Sequence, residues 1–401
     1  MLRRELNDGA RPAGGKAIRR LTVVATGLLA AGALSVAPAD AVAGGSAAVD
    51  GSYGFVAKIN GALGCTGALI DAEWVITAKS CFGTDVVAGA PATPVTATIG
   101  KASLSATIGH TVNVVQLVPH ADRDVVLARL ALPVFDVAPI AIAATPVAAG
   151  NVLRVAGFGR TTTEWVPDRF STTQFKVDTV APSTLAITGT AQADATTCKG
   201  DAGGPAFREN GGTFELVGIN LSSWQHGCYT ESETRIGTTE SRVDDLASWV
   251  AQSTAAQSAV IKGKASGQCL DQDYTGNQEH PTVQAWQCWT PTTGNQQWTL
   301  VRVAGADTVQ IVNKLSGKCL DQAFANNQPT ALVQAWQCWT TVQDNQRWVI
   351  QPHYEDNTIT LVNKKSGQCL DQTFTNGTAQ PAVQAWQCWN PSTPNQRWAR
   401  N

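Results

Sequence analysis

From Ile261 onward the chain repeats itself every 50 residues. Ser-Gly-Gln-Cys-Leu-Asp-Gln surrounds Cys269 and Cys369, and surrounds Cys319 with Lys318 in place of the first Gln. Val-Gln-Ala-Trp-Gln-Cys-Trp returns at Trp286, Trp336 and Trp386. Asn-Gln-x-Trp closes each unit at Trp298, Trp348 and Trp398. Composition alone does not produce so strict a period. The chain's 36 Gly and 18 Pro, among Thr-, Val- and Ser-rich stretches, favour short strands and turns over helices. The fold class read here is all-β. A short β-unit with a single apolar face can bury it only by packing against its copies around a common axis.

Ten cysteines fall into five sequential pairs: Cys65 and Cys81, Cys198 and Cys228, Cys269 and Cys288, Cys319 and Cys338, Cys369 and Cys388. An even count at regular spacing reads as a disulfide framework outside the cytosol. Metal ligation is the competing reading, but there is no Cys-x-x-Cys and no Cys/His cluster, so no metal and no cofactor is expected. The N-terminus agrees with export. Arg3, Arg4, Arg11, Lys16, Arg19 and Arg20 precede an apolar run, 21–36, that is short for a bilayer span. Ala39-Asp40-Ala41 then offers a small-residue cleavage site. A signal peptide over 1–41 and a secreted, extracellular protein are expected. Only 15% of residues are charged and the net charge is −2, which gives no footprint for nucleic acid. No second apolar span follows, so no membrane partner is expected.

The repeated Gln-x-Trp signature resembles the ricin B-chain type of β-trefoil lectin, over residues 260–401. The resemblance makes Trp298, Trp348 and Trp398 core residues and bridges Cys269–Cys288, Cys319–Cys338 and Cys369–Cys388. It also implies a glycan or polysaccharide partner. Sugar recognition needs a polar group for the ring hydroxyls and an aromatic face for the C–H side of the ring. By resemblance these are Asp271, Trp286 and Asn295 in the first repeat. The second supplies Asp321, Trp336 and Asn345, and the third Asp371, Trp386 and Asn395. The bland alternative is that each Asp caps a turn and each Trp packs on its disulfide. Trp289, Trp339 and Trp389 have no assigned role.

Residues 42–251 resemble the trypsin-like serine proteases. Val42-Ala-Gly-Gly45 is similar to the family's mature start. Cys65-Thr-Gly-Ala-Leu-Ile, Trp74-Val-Ile-Thr-Ala-Lys-Ser-Cys81 and His120-Ala-Asp-Arg-Asp124 resemble the blocks that carry the catalytic histidine and aspartate. Cys198-Lys-Gly-Asp-Ala-Gly-Gly-Pro205 resembles the nucleophile block. Leu216-Val-Gly-Ile219 with Ser223-Trp224 and Cys228 resembles the substrate strand, and 243–250 the terminal helix. The expected fold is a double β-barrel followed, after a linker at 252–259, by the trefoil.

The chemistry departs from the family at two of three positions. The histidine position is Ser80 and the nucleophile position is Ala202; only Asp124 remains. A methyl group cannot attack a carbonyl, and a serine hydroxyl cannot relay a proton near neutral pH as imidazole does. The resemblance keeps the oxyanion donors, the N–H groups of Gly200 and Ala202. It also pairs a new N-terminus at Val42 with Asp201. In the pocket, Thr196 takes the specificity position and Gln225 follows Ser223-Trp224 where relatives carry Gly, which narrows the cleft.

These residues point to a secreted carbohydrate-binding protein with a proteolytically silent trypsin-like domain. That domain either holds a peptide or protein partner in its cleft or serves as a spacer. The alternative is a secreted serine endopeptidase with an accessory carbohydrate-binding module. Glycoside hydrolysis ranks below both, because no carboxylate pair stands out in 42–252.

Overall fold

Trp74–Thr77 is buried at every position, and Gly64–Asp71 is buried through its centre. Strands with no wet face need cover on both sides, and closing the sheet on itself supplies the inner one. The computed structural model, which describes residues 42–190, 195–303 and 307–400, shows this closure twice. In the first barrel Val56–Asn60, Gly64–Asp71, Trp74–Thr77, Val126–Leu130, His110–Pro119 and Thr96–Ile99 pair in a ring. In the second, Val152–Gly157, Ser171–Val180, Thr184–Gly189, Thr238–Arg242, Thr213–Ser223 and Pro205–Asn210 do the same. The signal peptide expected over 1–41 lies outside the described residues. No helix among the described residues is long and apolar enough to cross a membrane.

The C-terminal part holds twelve strands in three sets of four, and its first strand, Ser258–Gly263, pairs with its last, Trp398–Arg400. Trp298, Trp348 and Trp398 are fully buried, and each indole Nε1 donates to a carbonyl oxygen: Leu270 at 2.8 Å, Leu320 at 2.9 Å and Leu370 at 3.0 Å. The Cys-Leu-Asp-Gln segment latches one repeat to the next. Ser316 Oγ donates to Gln272 Oε1, Ser366 to Gln322 and Ser266 to Gln372, each at 2.6 Å. The Ser and Gln of the repeated motif therefore serve the threefold assembly.

All five disulfides form in the expected pairs. The three in the trefoil each span 19 residues of sequence, a loop worth about 3 kcal/mol of stability. The repeats are not identical in hairpin form. Cys319–Ala325 and Cys369–Thr375 extend into full hairpins, but the first repeat's strand stops at Gln272. There Asp273 Oδ1 accepts from both the N–H and the hydroxyl of Thr275 and turns the chain away from the ladder.

Two expected boundaries shift. The terminal helix runs Ala247–Ser253 rather than 243–250, because Asp244 is committed to a turn by its bonds to the Val147 N–H and the Arg242 guanidinium. The linker shrinks to 254–257. Its expected ends belong to the helix and to Ser258–Gly263, where Ser258 and Ala259 pair with Thr299 and Trp298.

Trp348→Ala should cost about 3–5 kcal/mol, since it opens a cavity and strips the Leu320 carbonyl of its donor. Urea unfolding of the full chain checks this. Trp339→Ala, on the exposed face, should stay within about 0.5 kcal/mol.

Candidate functional site

The protease-like cleft is built where the two barrels meet. Ser80 lies in the single turn Lys79–Phe82, directly after Trp74–Thr77, and the Cys65–Cys81 disulfide pins this turn to the neighbouring strand. Asp124 reaches the same spot from the loop ahead of Val126–Leu130. Its Oδ1 accepts the Ser80 N–H at 2.7 Å and its Oδ2 accepts the Ser80 hydroxyl at 2.8 Å. The carboxylate thus grips residue 80 by both backbone and side chain. His120 does not approach this pair. Its ring packs edge-on against Trp249 at 4.9 Å, and burial with the nearby Arg123 holds its pKa below the ordinary imidazole value. Lys79 reaches towards the His120 carbonyl at 3.5 Å.

Ala202 sits on the loop clamped by Cys198–Cys228. Gly203 there has φ +79°, and a Cβ would stand 2.1 Å from Thr77 Oγ1, so only glycine fits against the first barrel. The loop is tied across the cleft by Thr66, whose N–H donates to the Ala202 carbonyl and whose hydroxyl donates to the Gly200 carbonyl. Among the described residues, the N–H groups of Gly200 and Ala202 donate to no protein acceptor. A cavity of about 490 Å³ borders Ser80, Gly200 and Ala202, walled by Phe158 and Trp165. Arg160 stacks over the Trp165 ring at 3.5 Å.

At the edge of this cavity, next to Lys199, stands Gln225, held at φ +67°. Its Nε2 donates to Ser223 Oγ at 2.7 Å, and its Oε1 accepts the Lys199 N–H at 2.9 Å. The amide therefore links Ser223 to Lys199. Thr196 is fully buried, its hydroxyl 3.4 Å from that of Thr238.

Asp201 is fully buried and accepts the N–H groups of Gly159 and Cys198, both at 2.7 Å. Val42 is buried in the second barrel, and in the 401-residue chain its nitrogen is a peptide N–H rather than an ammonium. Desolvation dominates over the two backbone bonds and the nearby Lys58 charge, and pushes the Asp201 pKa up to about 7. The folded chain then holds a proton that the unfolded chain has released between about pH 4 and 7. Stability from this group is greatest below that window and falls as pH rises through it, by at most about 4 kcal/mol. Asp201→Asn should remove the decline, as measured by urea unfolding at pH 5 and pH 8.

Three residues in this region escaped sequence reasoning. Lys58 is buried with its ammonium 3.3 Å from the Phe158 carbonyl, and burial lowers its pKa. Glu240 and Asn220 face each other in register on adjacent strands, both buried and neither with a side-chain partner. Burial, with Asp201 nearby, raises the Glu240 pKa. Single buried polar letters carry no spacing signal.

In the trefoil, each predicted set comes together. Asn295 Nδ2 donates to Asp271 Oδ2 at 2.9 Å, Asn345 to Asp321 at 2.8 Å and Asn395 to Asp371 at 2.7 Å. Antiparallel pairing of Cys269 with Trp286, and its equivalents, puts the ring beside the carboxylate strand. Trp286, Trp336 and Trp386 expose 42–47% of their surface, while Asp271, Asp321 and Asp371 expose only 2–3%. Burial raises all three carboxyl pKa values.

Two glutamines in each motif also hold the carboxylate. Gln296 Nε2 donates to Asp271 Oδ2 at 2.9 Å and Gln284 Nε2 to Oδ1 at 3.2 Å, with the same pattern in the other repeats. Oδ1 keeps one unused lone pair. In the first repeat both amide hydrogens of Asn295 are spent, the second on the Gln272 carbonyl. Among the described residues Asn395 spends only one. The exposed Trp289, Trp339 and Trp389 flank these sets.

Two six-stranded barrels meeting at such a cleft, followed by a threefold β-domain with three carboxylate–indole sets, define a protease-fold protein with a lectin-type module. Residues 42–250 match the family model Trypsin, and residues 257–398 match the ricin-type beta-trefoil lectin domain. The chain belongs to the trypsin family and carries a ricin-type trefoil. It is 32% identical to serine protease SP24D of Anopheles gambiae, over 44% of this chain and 70% of that one. It is 28% identical to a trypsin-like protease of Streptomyces glaucescens, over 55% and 91%. The solved structure of neuropsin, a serine protease expressed in the limbic system of mouse brain, aligns with 53% of this chain and 99% of its own, at 18% identity and TM-score 0.44.

Proposed function

We propose that this is an exported glycan-binding protein whose trypsin-fold domain does not cleave peptides. One observation carries the reading: a methyl group at Ala202 and a hydroxyl at Ser80 occupy the two positions where this chemistry needs a nucleophile and a proton relay. The trefoil supplies the binding, through the three Asp–Trp–Asn sets centred on Trp286, Trp336 and Trp386. Five disulfides and the apolar N-terminal run support an extracellular setting.

Cleavage after Ala41 would give Val42 an ammonium to neutralise Asp201, which is otherwise buried with only backbone donors and the nearby Lys58 charge. Such processing needs no dedicated activating protease, and N-terminal sequencing of exported material should begin at Val42. The protease-like cleft then offers a formed pocket with two free N–H donors, suited to holding an extended peptide or protein segment. Incubation of the exported protein with insoluble xylan, galactose-bearing agarose and labelled casein is the direct test. Retention on a polysaccharide with the casein intact supports the reading; release of casein peptides by homogeneous protein overturns it.

A further inference from the structure

A second cavity, of about 210 Å³, lies between the first barrel and the trefoil, away from both candidate sites. Its chemistry is unbalanced. Three guanidinium groups line it, from Arg129, Arg302 and Arg400, against two carboxylates, from Asp71 and Glu73. Arg400 Nη1 contacts both Glu73 oxygens at 2.6 Å, so that pair satisfies itself. Arg302 lies 3.7 Å from Asp71 and over the Phe135 ring at 5.2 Å. Arg129 has no such partner. Among the described residues its guanidinium makes no hydrogen bond to protein, and its Nε is buried and unsatisfied, as is the Nε of Arg400.

Unpaired buried donors are costly, and like charges close together add to the cost. Burial and the neighbouring Arg400 depress the Arg129 pKa, against an opposing pull from Glu73. One negative charge delivered onto Arg129 would balance the excess positive charge and give its buried Nε an acceptor. The remaining wall is apolar, formed by Trp74, Phe135, Leu300, Val309 and Ile350. A hydrated inorganic ion would leave that wall unused. A doubly charged ion would overshoot the single uncompensated positive charge.

We propose that this inter-domain cavity binds an organic monocarboxylate, its carboxylate on Arg129 and its apolar body against Phe135 and Leu300. A planar carboxylate matches the guanidinium fork, and an apolar body replaces water along the wall. Because the cavity draws residues from both domains, occupancy would also tie the trefoil to the barrels.

Benzoate and benzamide are the probes, alike in shape and different in charge. Isothermal titration of the full chain at constant ionic strength should give one saturable benzoate site per chain. Benzamide should bind at least about tenfold more weakly, the loss expected when a charge-assisted pair is removed. Arg129→Gln should weaken benzoate by about tenfold or more, with Arg129→Lys falling between the two. The proposal fails if folded wild-type protein shows no saturable benzoate binding, if benzamide binds equally well, or if folded Arg129→Gln keeps full affinity. Should Arg129→Gln not fold, the benzoate–benzamide comparison on the wild-type chain still decides.

Discussion

Ser80→His with Ala202→Ser should make the trypsin-fold domain a peptidase, with casein cleaved by the double variant and, on the proposed function, untouched by the parent. Nucleophile and base act as a unit, and losing them costs about 10⁶-fold in turnover. Restoring only one should therefore recover almost nothing. The case for recovery rests on what surrounds the two positions. Asp124 already directs both oxygens at residue 80, so an imidazole there would find the carboxylate that fixes its tautomer. The Ala202 loop is held by Thr66 and its disulfide, and among the described residues the N–H groups of Gly200 and Ala202 have no protein acceptor to compete with an oxyanion. Activity of the variant should rise with pH through the ordinary histidine range near about 6.5, because only neutral imidazole can accept the serine proton.

Gln225 sets the limit on that recovery. Its amide links Ser223 to the Lys199 N–H, at the position where the resemblance places the entry of a substrate side chain. Adding Gln225→Gly should raise kcat/KM of the double variant, most for substrates with a bulky side chain at the cleaved bond. If the double variant and the triple variant are both silent, the cleft has drifted beyond these three residues. If the parent itself cleaves, an unrecognised nucleophile is at work and the proposed function falls.

What the sequence made legible follows from spacing. The 50-residue period with its Gln-x-Trp resemblance made the trefoil legible, and the five disulfides join the cysteines that were read as sequential pairs. The double barrel was legible through several family-like blocks in order. What stayed hidden was carried by single residues. Gln284 and Gln296 stood in plain view inside the motif, yet only coordinates separate a glutamine that holds Asp271 from one that latches repeats, as Gln272 does. Lys58 is a first-barrel strand residue buried against Phe158, while Asn220 and Glu240 are paired second-barrel strand residues, and no spacing marks any of the three as buried. The unpaired Arg129 could not be seen at all, because the cavity that strands it is made by the meeting of two domains.

Trp286→Ala, Trp336→Ala and Trp386→Ala combined should abolish retention on polysaccharide. Each ring is a large exposed apolar surface on the strand paired with its carboxylate's strand, placed to cover a sugar's C–H face. Three sites on one rigid body would bind a polymer by avidity, so losing one site should weaken polymer binding by about tenfold, losing two by about 10²–10⁴-fold, and losing all three should remove it. Monosaccharide binding, which has no avidity, should fall only in proportion to the sites removed. The three single variants should not be equal. Asn295 has spent both amide hydrogens within the protein, while Asn395 keeps one to donate to a sugar hydroxyl. The third site should therefore be the tightest, and Trp386→Ala the most damaging single change. Affinity electrophoresis on soluble polysaccharide, with each variant's fold checked by near-UV circular dichroism, reads this order directly. Equal retention of the folded triple variant and the parent would return the exposed tryptophans to a packing role on their disulfides and remove the trefoil sites from the proposed function.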